Sequence, residues 1–384
     1  MLIKIVRPPL TIVFMGMLFC ISCKRGDRII SSTVSEKLSN YSNPIDVKYG
    51  DPYILDNGDG TFYMYGTGGG AKDGFTTYSS TNLVDWNFEG QIYHGNTASS
   101  WNLKSFWAPE VYKINDDYFL FYSADTKVNP TNELETFSIG VAVSNSPKGP
   151  FYDLKNGPLF DPGYPIIDAN VFQDDDGKYY LYYSRACYKH TVESEISDWA
   201  KKEGIYENIE ESWVYGIELA PDFKSVIGDA LLLLYPPKSM SDKNAEWESR
   251  SVTSREINRR WTEGSFTFKH KGTYYIMYSA NHYAGPNYAV GYATSNHPLG
   301  PFTKAENNPV LQKNVDKGGD VTGTGHNMVL HLEHSKKMYV VYHGRTKQTG
   351  NERVVFIDEL KILPDGTLVV NGPTTDPRPY PLLK

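Results

Sequence analysis

Five times along the chain a run of strand-forming residues is followed by a polar turn, acidic or glycine-containing, and then by a second run rich in aromatics. The copies read DPYILDNGDGTFYMYGT from Asp51, PEVYKINDDYFLFYSA from Pro109, DANVFQDDDGKYYLYYS from Asp168, EGSFTFKHKGTYYIMYSA from Glu263 and HNMVLHLEHSKKMYVVYHG from His326. With Tyr65, Tyr122, Tyr183, Tyr278 and Tyr342 taken as equivalent, subtraction of residue numbers gives spacings of 57, 61, 95 and 64, each long enough for a four-stranded unit. Outer-strand segments echo one another between the pairs: TTYSSTNLVDW from Thr76, VAVSNSPKGPFYD from Val141 and GYATSNHPLGPFTK from Gly291. Units of this kind protect their strand edges by radial repetition, with the first strand of each lining a short central channel. The pattern predicts an all-β fold, a five-bladed β-propeller over residues 44–384. The strands of VVFIDELKILPDGTLVV from Val354 are expected to close the ring. The long third interval carries an insertion at residues 189–212, where EISDWAKKEGIYENIEE turns charged and helical in character.

The first 23 residues break this pattern. Lys4 and Arg7 precede an apolar stretch over residues 10–21 that is too short to span a bilayer as a mature helix, which marks a processing signal. Cys23, followed by Lys24, Arg25, Gly26 and Asp27, resembles a bacterial lipoprotein cleavage site, with Cys20 where such sites usually carry Leu. The expectation is a secreted protein, lipidated at Cys23 and anchored to the cell envelope, with residues 24–43 as a Ser-rich flexible tether. Cys187 is then the one cysteine of the propeller, so neither an intrachain disulfide nor a cysteine-held metal is available to it.

Composition narrows the function classes. The net charge is −7 and no long Lys or Arg run tracks a phosphate backbone, which argues against nucleic acid as a partner. Twenty-nine Tyr against 17 Phe and 7 Trp favours half-buried strands and surfaces that stack on flat ligands. A monomer that touches membrane only through its lipid is expected.

The openings of the five copies carry the candidate chemistry. Asp51, Glu110, Asp168, Glu263 and His326 are all ionisable, and equivalent positions on innermost strands would bring them together at one mouth of the channel. Carboxylates crowded in this way have raised proton affinity, which is useful for proton transfer and poor for stability. Glycoside hydrolysis uses such a set, one carboxylic acid protonating the leaving oxygen and one carboxylate activating water.

At the level of motifs the chain resembles glycoside hydrolase family 43: GDPYI around Asp51, SFWAPEV from Ser105, IIDANVF around Asp168, WTEGSF around Glu263 and GTGHN around His326. The resemblance runs from about Asn43 to the C-terminus. It implies an inverting hydrolase with Asp51 as general base, Glu263 as general acid, and Asp168 orienting the acid and tuning its pKa. It also implies that His326 is an axial histidine facing an ion, often calcium, through water, although calcium prefers oxygen ligands to imidazole. No cofactor is required for the chemistry. Glu110 of the WAPE motif reads as structural. Phe106, Trp107, Tyr283 and Arg345 are candidates for contacting an oligo- or polysaccharide, and Trp86 and Trp199 for packing.

The resemblance covers α-L-arabinofuranosidases, endo-arabinanases and β-xylosidases. A wall built by the insertion favours exo action and the first of these. The alternative of another class is a noncatalytic glycan-binding propeller, which has no need of three converging acids.

Overall fold

The computed structural model describes residues 40–128 and 136–381. Cys23, the processing signal and all of the tether before residue 40 lie outside the described residues. Within them, the aromatic-rich second strand of each copy is buried: Tyr65, Tyr122, Tyr183, Tyr278 and Tyr342 have no exposed surface. Their neighbours complete four-stranded antiparallel sheets in simple sequence order.

Blade one comprises Tyr49–Asp56, Phe62–Gly68, Gly74–Ser80 and Asn87–His94. Blade two comprises Trp107–Ile114, Asp117–Asp125, Phe137–Ser144 and Tyr152–Asp153. Blade three comprises Ile166–Gln173, Tyr179–Arg185, Trp213–Leu219 and Val226–Leu234. Blade four comprises Thr262–His270, Thr273–Ala280, Ala289–Ser295 and Thr303–Lys304. Blade five comprises Thr322–Leu332, Lys337–Arg345, Val354–Ile362 and Leu368–Asn371. The five first strands contact one another in cyclic order, one to two and onward to five and back to one, so the sheets form the closed ring of a five-bladed propeller.

Closure differs from the expectation in one respect. The strands from Val354 onward complete blade five, and the N-terminal segment laces onto them. Asn40–Tyr41 pairs with Arg378–Pro379, Ile45 pairs with Val355, and the Asn43 amide bonds the Ile357 carbonyl at 3.1 Å. Residues 40–43, expected to belong to a flexible tether, are therefore part of the folded domain: Tyr41 and Asn43 are buried, and their hydrogen bonds hold blade one against blade five.

A register shift recurs near the start of every first strand. The chain there carries one extra residue relative to its partner strand, a β-bulge that bends the strand and re-aims side chains. Its first residue is left-handed in all five blades: Asp51 (φ 53°), Ala108 (44°), Asp168 (61°), Gly264 (55°) and His326 (49°). Asp51, Asp168 and His326 are thus true equivalents. Glu263 sits one residue before this position and Glu110 two residues after it, so the assumed equivalence of all five ionisable openings fails in blades two and four. The same register makes Gly66, not Tyr65, the counterpart of the other four tyrosines.

The long third interval holds two excursions where one was expected. Residues 186–212 carry helix α1, Glu195–Lys202, capped by the Ser194 side chain. Residues 235–261 carry α2, Lys243–Glu248, and α3, Arg250–Thr253. The two are sewn together by parallel pairing of Glu210–Glu211 with Arg259–Arg260 and by a fully buried Arg260–Glu211 ion pair. Both leave the sheets at the end where the first strands begin, because Arg185 pairs with Ile166, two residues before Asp168.

Candidate active site

Left-handed backbone at a non-glycine residue persists only where surrounding structure holds it. Here a belt of hydrogen bonds does so. The N–H of Ala108 donates to Thr67 Oγ1 (2.8 Å), that of Asp168 to Ser123 Oγ (2.9 Å), and that of His326 to Ser279 Oγ (2.7 Å). The N–H of Asp51 donates to His343 Nδ1 (3.1 Å), which leaves the imidazole proton on Nε2. In each case the acceptor belongs to the second strand of the preceding blade. In blade four the rule changes: the N–H of Gly264 donates to the Asp168 carboxylate, at 3.1 Å from Oδ2. Asp168 therefore anchors the backbone immediately after Glu263.

Asp51, Asp168 and Glu263 are 9%, 7% and 6% exposed, and their charges act on one another. Burial would raise the Asp51 pKa, but it is outweighed. Arg353 Nη1 lies 2.9 Å and His326 Nδ1 3.3 Å from Oδ1, and Thr67 Oγ1 donates to Oδ2 at 2.6 Å. Together they hold the carboxyl well below the usual range, so it is ionised. Glu263 is the reverse. Burial first, then the negative charges of Asp168 and Asp51, push its pKa well above the ordinary value against the opposing Tyr288 hydroxyl and Arg353. Asp168 is raised mainly by burial, with His326, the Gly264 N–H and Ser184 working the other way. Two buried carboxyls whose environments drive their proton affinities apart have the properties that an acid and a base for proton transfer require.

Arg353 makes a testable contribution to this split. Arg353→Ala removes the largest favourable charge on Asp51, so the pKa of a base that works ionised rises. The acidic limb of the pH–rate profile should move to higher pH, and an unmoved limb would show that Asp51 is not the titrating base.

The other candidates divide. Phe106 is buried among Phe75, Tyr93 and Tyr122 with centroids 5.9 to 6.4 Å apart, so it packs the seam of blades one and two and does not face the site. Trp107 is half-buried and lies 4.4 Å from the Phe137 ring. Phe137 in turn stacks on Tyr188 (5.6 Å), over which Arg259 sits at 4.9 Å. Tyr283 is 46% exposed and covers Arg353 at 5.1 Å, which puts it beside the partner of Asp51. Arg345 is buried, and its guanidinium is taken by the carbonyls of Tyr283 (2.8 Å) and Asn351 (3.1 Å); it fixes the loop that carries Tyr283 instead of reaching outward. Trp86 and Trp199 pack against apolar clusters, as expected.

Glu110 bonds the Tyr112 hydroxyl and, at 3.0 Å, the Asn170 amide, joining blades two and three below the site. Burial pushes its carboxyl up to about 8, against these two hydrogen bonds. It is a structural carboxylic acid. The Asp51 oxygens that His326 faces are engaged by Arg353 and Thr67, so a calcium ion near His326 would be reached only through water, as the expectation has it. Among the described residues no group of three or more His, Cys, Asp or Glu is arranged to hold a metal.

Arg353, His343, Tyr288 and Thr67 belong to the site and were not singled out from the sequence. Thr67 and His343 occupy the second-strand position paired with the residue just before each bulge, and the matching Ser123, Ser184 and Ser279 could have flagged it. Arg353 and Tyr288 come from loops outside the repeated motif and carry no such signal.

Comparison with known proteins follows the same lines. The profile described as Glycosyl hydrolases family 43 matches residues 41–368. A solved structure titled as a thermostable family-43 glycoside hydrolase superposes with a TM-score of 0.75 at 36% identity, covering 89% of this chain and 99% of that one. Among curated relatives, the β-D-galactofuranosidase xynD of Aspergillus niger is 28% identical over 304 residues, 74% of this chain and 71% of its own length. The arabinoxylan arabinofuranohydrolase of Bacillus subtilis is 29% identical over 370 residues, 86% of this chain; the match spans 62% of that relative.

Proposed function

The chain belongs to glycoside hydrolase family 43, and from that premise we propose that it hydrolyses arabinose- or xylose-containing polysaccharide with inversion, as an exo-acting α-L-arabinofuranosidase. The observation that carries the catalytic reading is the opposed pair: a buried carboxylate held ionised at Asp51 and a buried carboxylic acid held protonated at Glu263. Asp51 takes a proton from water as the water oxygen bonds to the anomeric carbon. The bond from that carbon to the departing oxygen breaks on the opposite face, and Glu263 supplies the proton the departing oxygen needs. Asp51 ends protonated and Glu263 ionised, and exchange with solvent resets both.

The arabinofuranosidase reading is supported by the two excursions of blade three, which leave the sheets at the end where the first strands begin; Tyr188 and Arg259, 4.9 Å apart, are proposed to wall one side of the sugar site. The B. subtilis relative, an arabinoxylan arabinofuranohydrolase, points the same way. Tyr283 and Trp107 are the aromatic faces proposed to flank the sugar. Assays on p-nitrophenyl α-L-arabinofuranoside, p-nitrophenyl β-D-xyloside and debranched arabinan test the choice. Arabinose release from the first, with no internal cleavage of the third, is expected; preference for the xyloside or for arabinan chain interiors would replace the proposal with β-xylosidase or endo-arabinanase.

Asp168 acts on the acid by charge and position. Asp168→Asn removes a negative charge that holds the Glu263 pKa up. Glu263 should then lose its proton at lower pH, and the alkaline limb of the pH–rate profile should move down. An alkaline limb that stays put would remove Asp168 from this role.

A further inference from the structure

The mechanism above assigns no work to Tyr288, yet the ring is built into the site from three sides. Its Oη donates to Glu263 Oε1 at 2.9 Å. It is 1% exposed and stacks on the His343 imidazole at 5.5 Å and 17°. It also occupies space that exists because residue 325 is glycine: a Cβ there would fall inside van der Waals contact with the ring. Gly325 has no left-handed φ that would otherwise require glycine. A glycine kept on a first strand without a conformational reason is explained by the ring pressed against it.

From this geometry we infer that Tyr288 is the positioning residue of the general acid, and that Gly325 and His343 form the seat that aims its hydroxyl. The inference rests on the reading of Glu263 as the acid. The seat also joins the two halves of the chemistry, because His343 accepts the N–H of Asp51 through Nδ1 while its ring face supports Tyr288. The hydroxyl bond restrains the Glu263 carboxyl through Oε1, so that Oε2 would carry the proton for the departing group. The bond favours the ionised carboxyl, so it limits how far burial and neighbouring carboxylates raise the pKa.

The groups around Glu263 are Asp168 from blade three, Asp51 from blade one, Arg353 from the loop before the third strand of blade five, and Cys187 from the insertion. Arg345 faces Tyr288 itself. Burial and the two aspartates act upward on Glu263, and Arg353 and Tyr288 act downward. Removing the Tyr288 hydroxyl therefore moves the acid in one direction only.

Tyr288→Phe keeps the ring and its seat and removes the bond. On oligosaccharides and other substrates with poor leaving groups, kcat should fall about 10-fold with KM nearly unchanged, the scale of one misaligned proton-transfer group. The alkaline limb of the pH–rate profile should rise by about one pH unit, the scale of a lost hydrogen bond to a carboxylate. Gly325→Ala, which leaves Tyr288 intact but displaces its ring, should give the same rise, and the double variant should show no further shift. A Tyr288→Phe profile that superimposes on wild type or moves downward would overturn the inference. So would a Gly325→Ala enzyme that loses rate equally on activated aryl glycosides and oligosaccharides, with its alkaline limb unmoved. Failure of the underlying reading is visible separately, since it appears in Glu263→Gln whatever Tyr288 does.

Discussion

Glu263→Gln is expected to lose at least about 10²-fold in kcat on oligosaccharides while activated aryl glycosides are partly spared, and to lose the alkaline limb of its pH–rate profile. The leaving oxygen of a sugar is a strong base and cannot depart without a proton; nitrophenolate can. Glu263 can supply that proton near neutral pH because burial and the charges of Asp168 and Asp51 hold its pKa well above that of a free glutamate. In wild type, activity falls as pH rises through this raised pKa. Glutamine has the same shape, keeps an acceptor for the Tyr288 hydroxyl and has no proton to give, so the limb should vanish. Rates on substrates of graded leaving-group pKa measure this directly. A loss independent of leaving group would mean that Glu263 only binds or packs.

Asp51→Asn should be more severe and indifferent to the substrate, with losses of about 10³-fold or more on aryl glycosides and oligosaccharides alike. Every substrate needs the same activated water, and no leaving group relieves that need. Asp51 is suited to the task by three contacts that keep it ionised: Arg353, His326 and Thr67. The asparagine variant also withdraws one of the charges that raise Glu263, so the alkaline limb of its residual activity should shift to lower pH. Oligosaccharide affinity, measured by calorimetry, should survive. If the activated aryl substrates were spared here as well, Asp51 would not be the base.

How much of this was legible follows from what repeats. The five strand pairs, the ring they make and the three carboxylates could be read because each blade spells its first two strands in similar residues. The register inside each blade could not. The bulge adds one residue near the start of every first strand, and a reading that aligned ionisable openings placed Glu110 and Glu263 level with Asp51. The left-handed residues of those two blades are instead Ala108 and Gly264. A one-residue error is enough to turn a side chain from the channel into the sheet. It separates Phe106, which packs the seam of blades one and two, from Trp107, which packs against Phe137 and Ile167 where blades two and three meet.

The partners of the acids were hidden for another reason. Arg353 is 302 residues from Asp51, and Tyr288 is 25 residues from Glu263 in a loop with no repeated counterpart. Their roles come from ring closure and from the turns between second and third strands, where spacing is unconstrained. Arg345 shows the hazard of choosing an arginine by proximity to a motif: it is nearer the His326 hairpin, but its guanidinium is spent on loop carbonyls.

The central claim is that Asp51 and Glu263 perform a single displacement on a pentose glycoside. Proton NMR of the anomeric region during the first minutes of arabinoside hydrolysis tests it most directly. A single displacement requires the first sugar released to carry the anomeric configuration opposite to that of the substrate, with the other anomer growing in only as mutarotation proceeds. First release with the substrate's own configuration, or saturable oligosaccharide binding with no release from any arabinoside or xyloside, would contradict it.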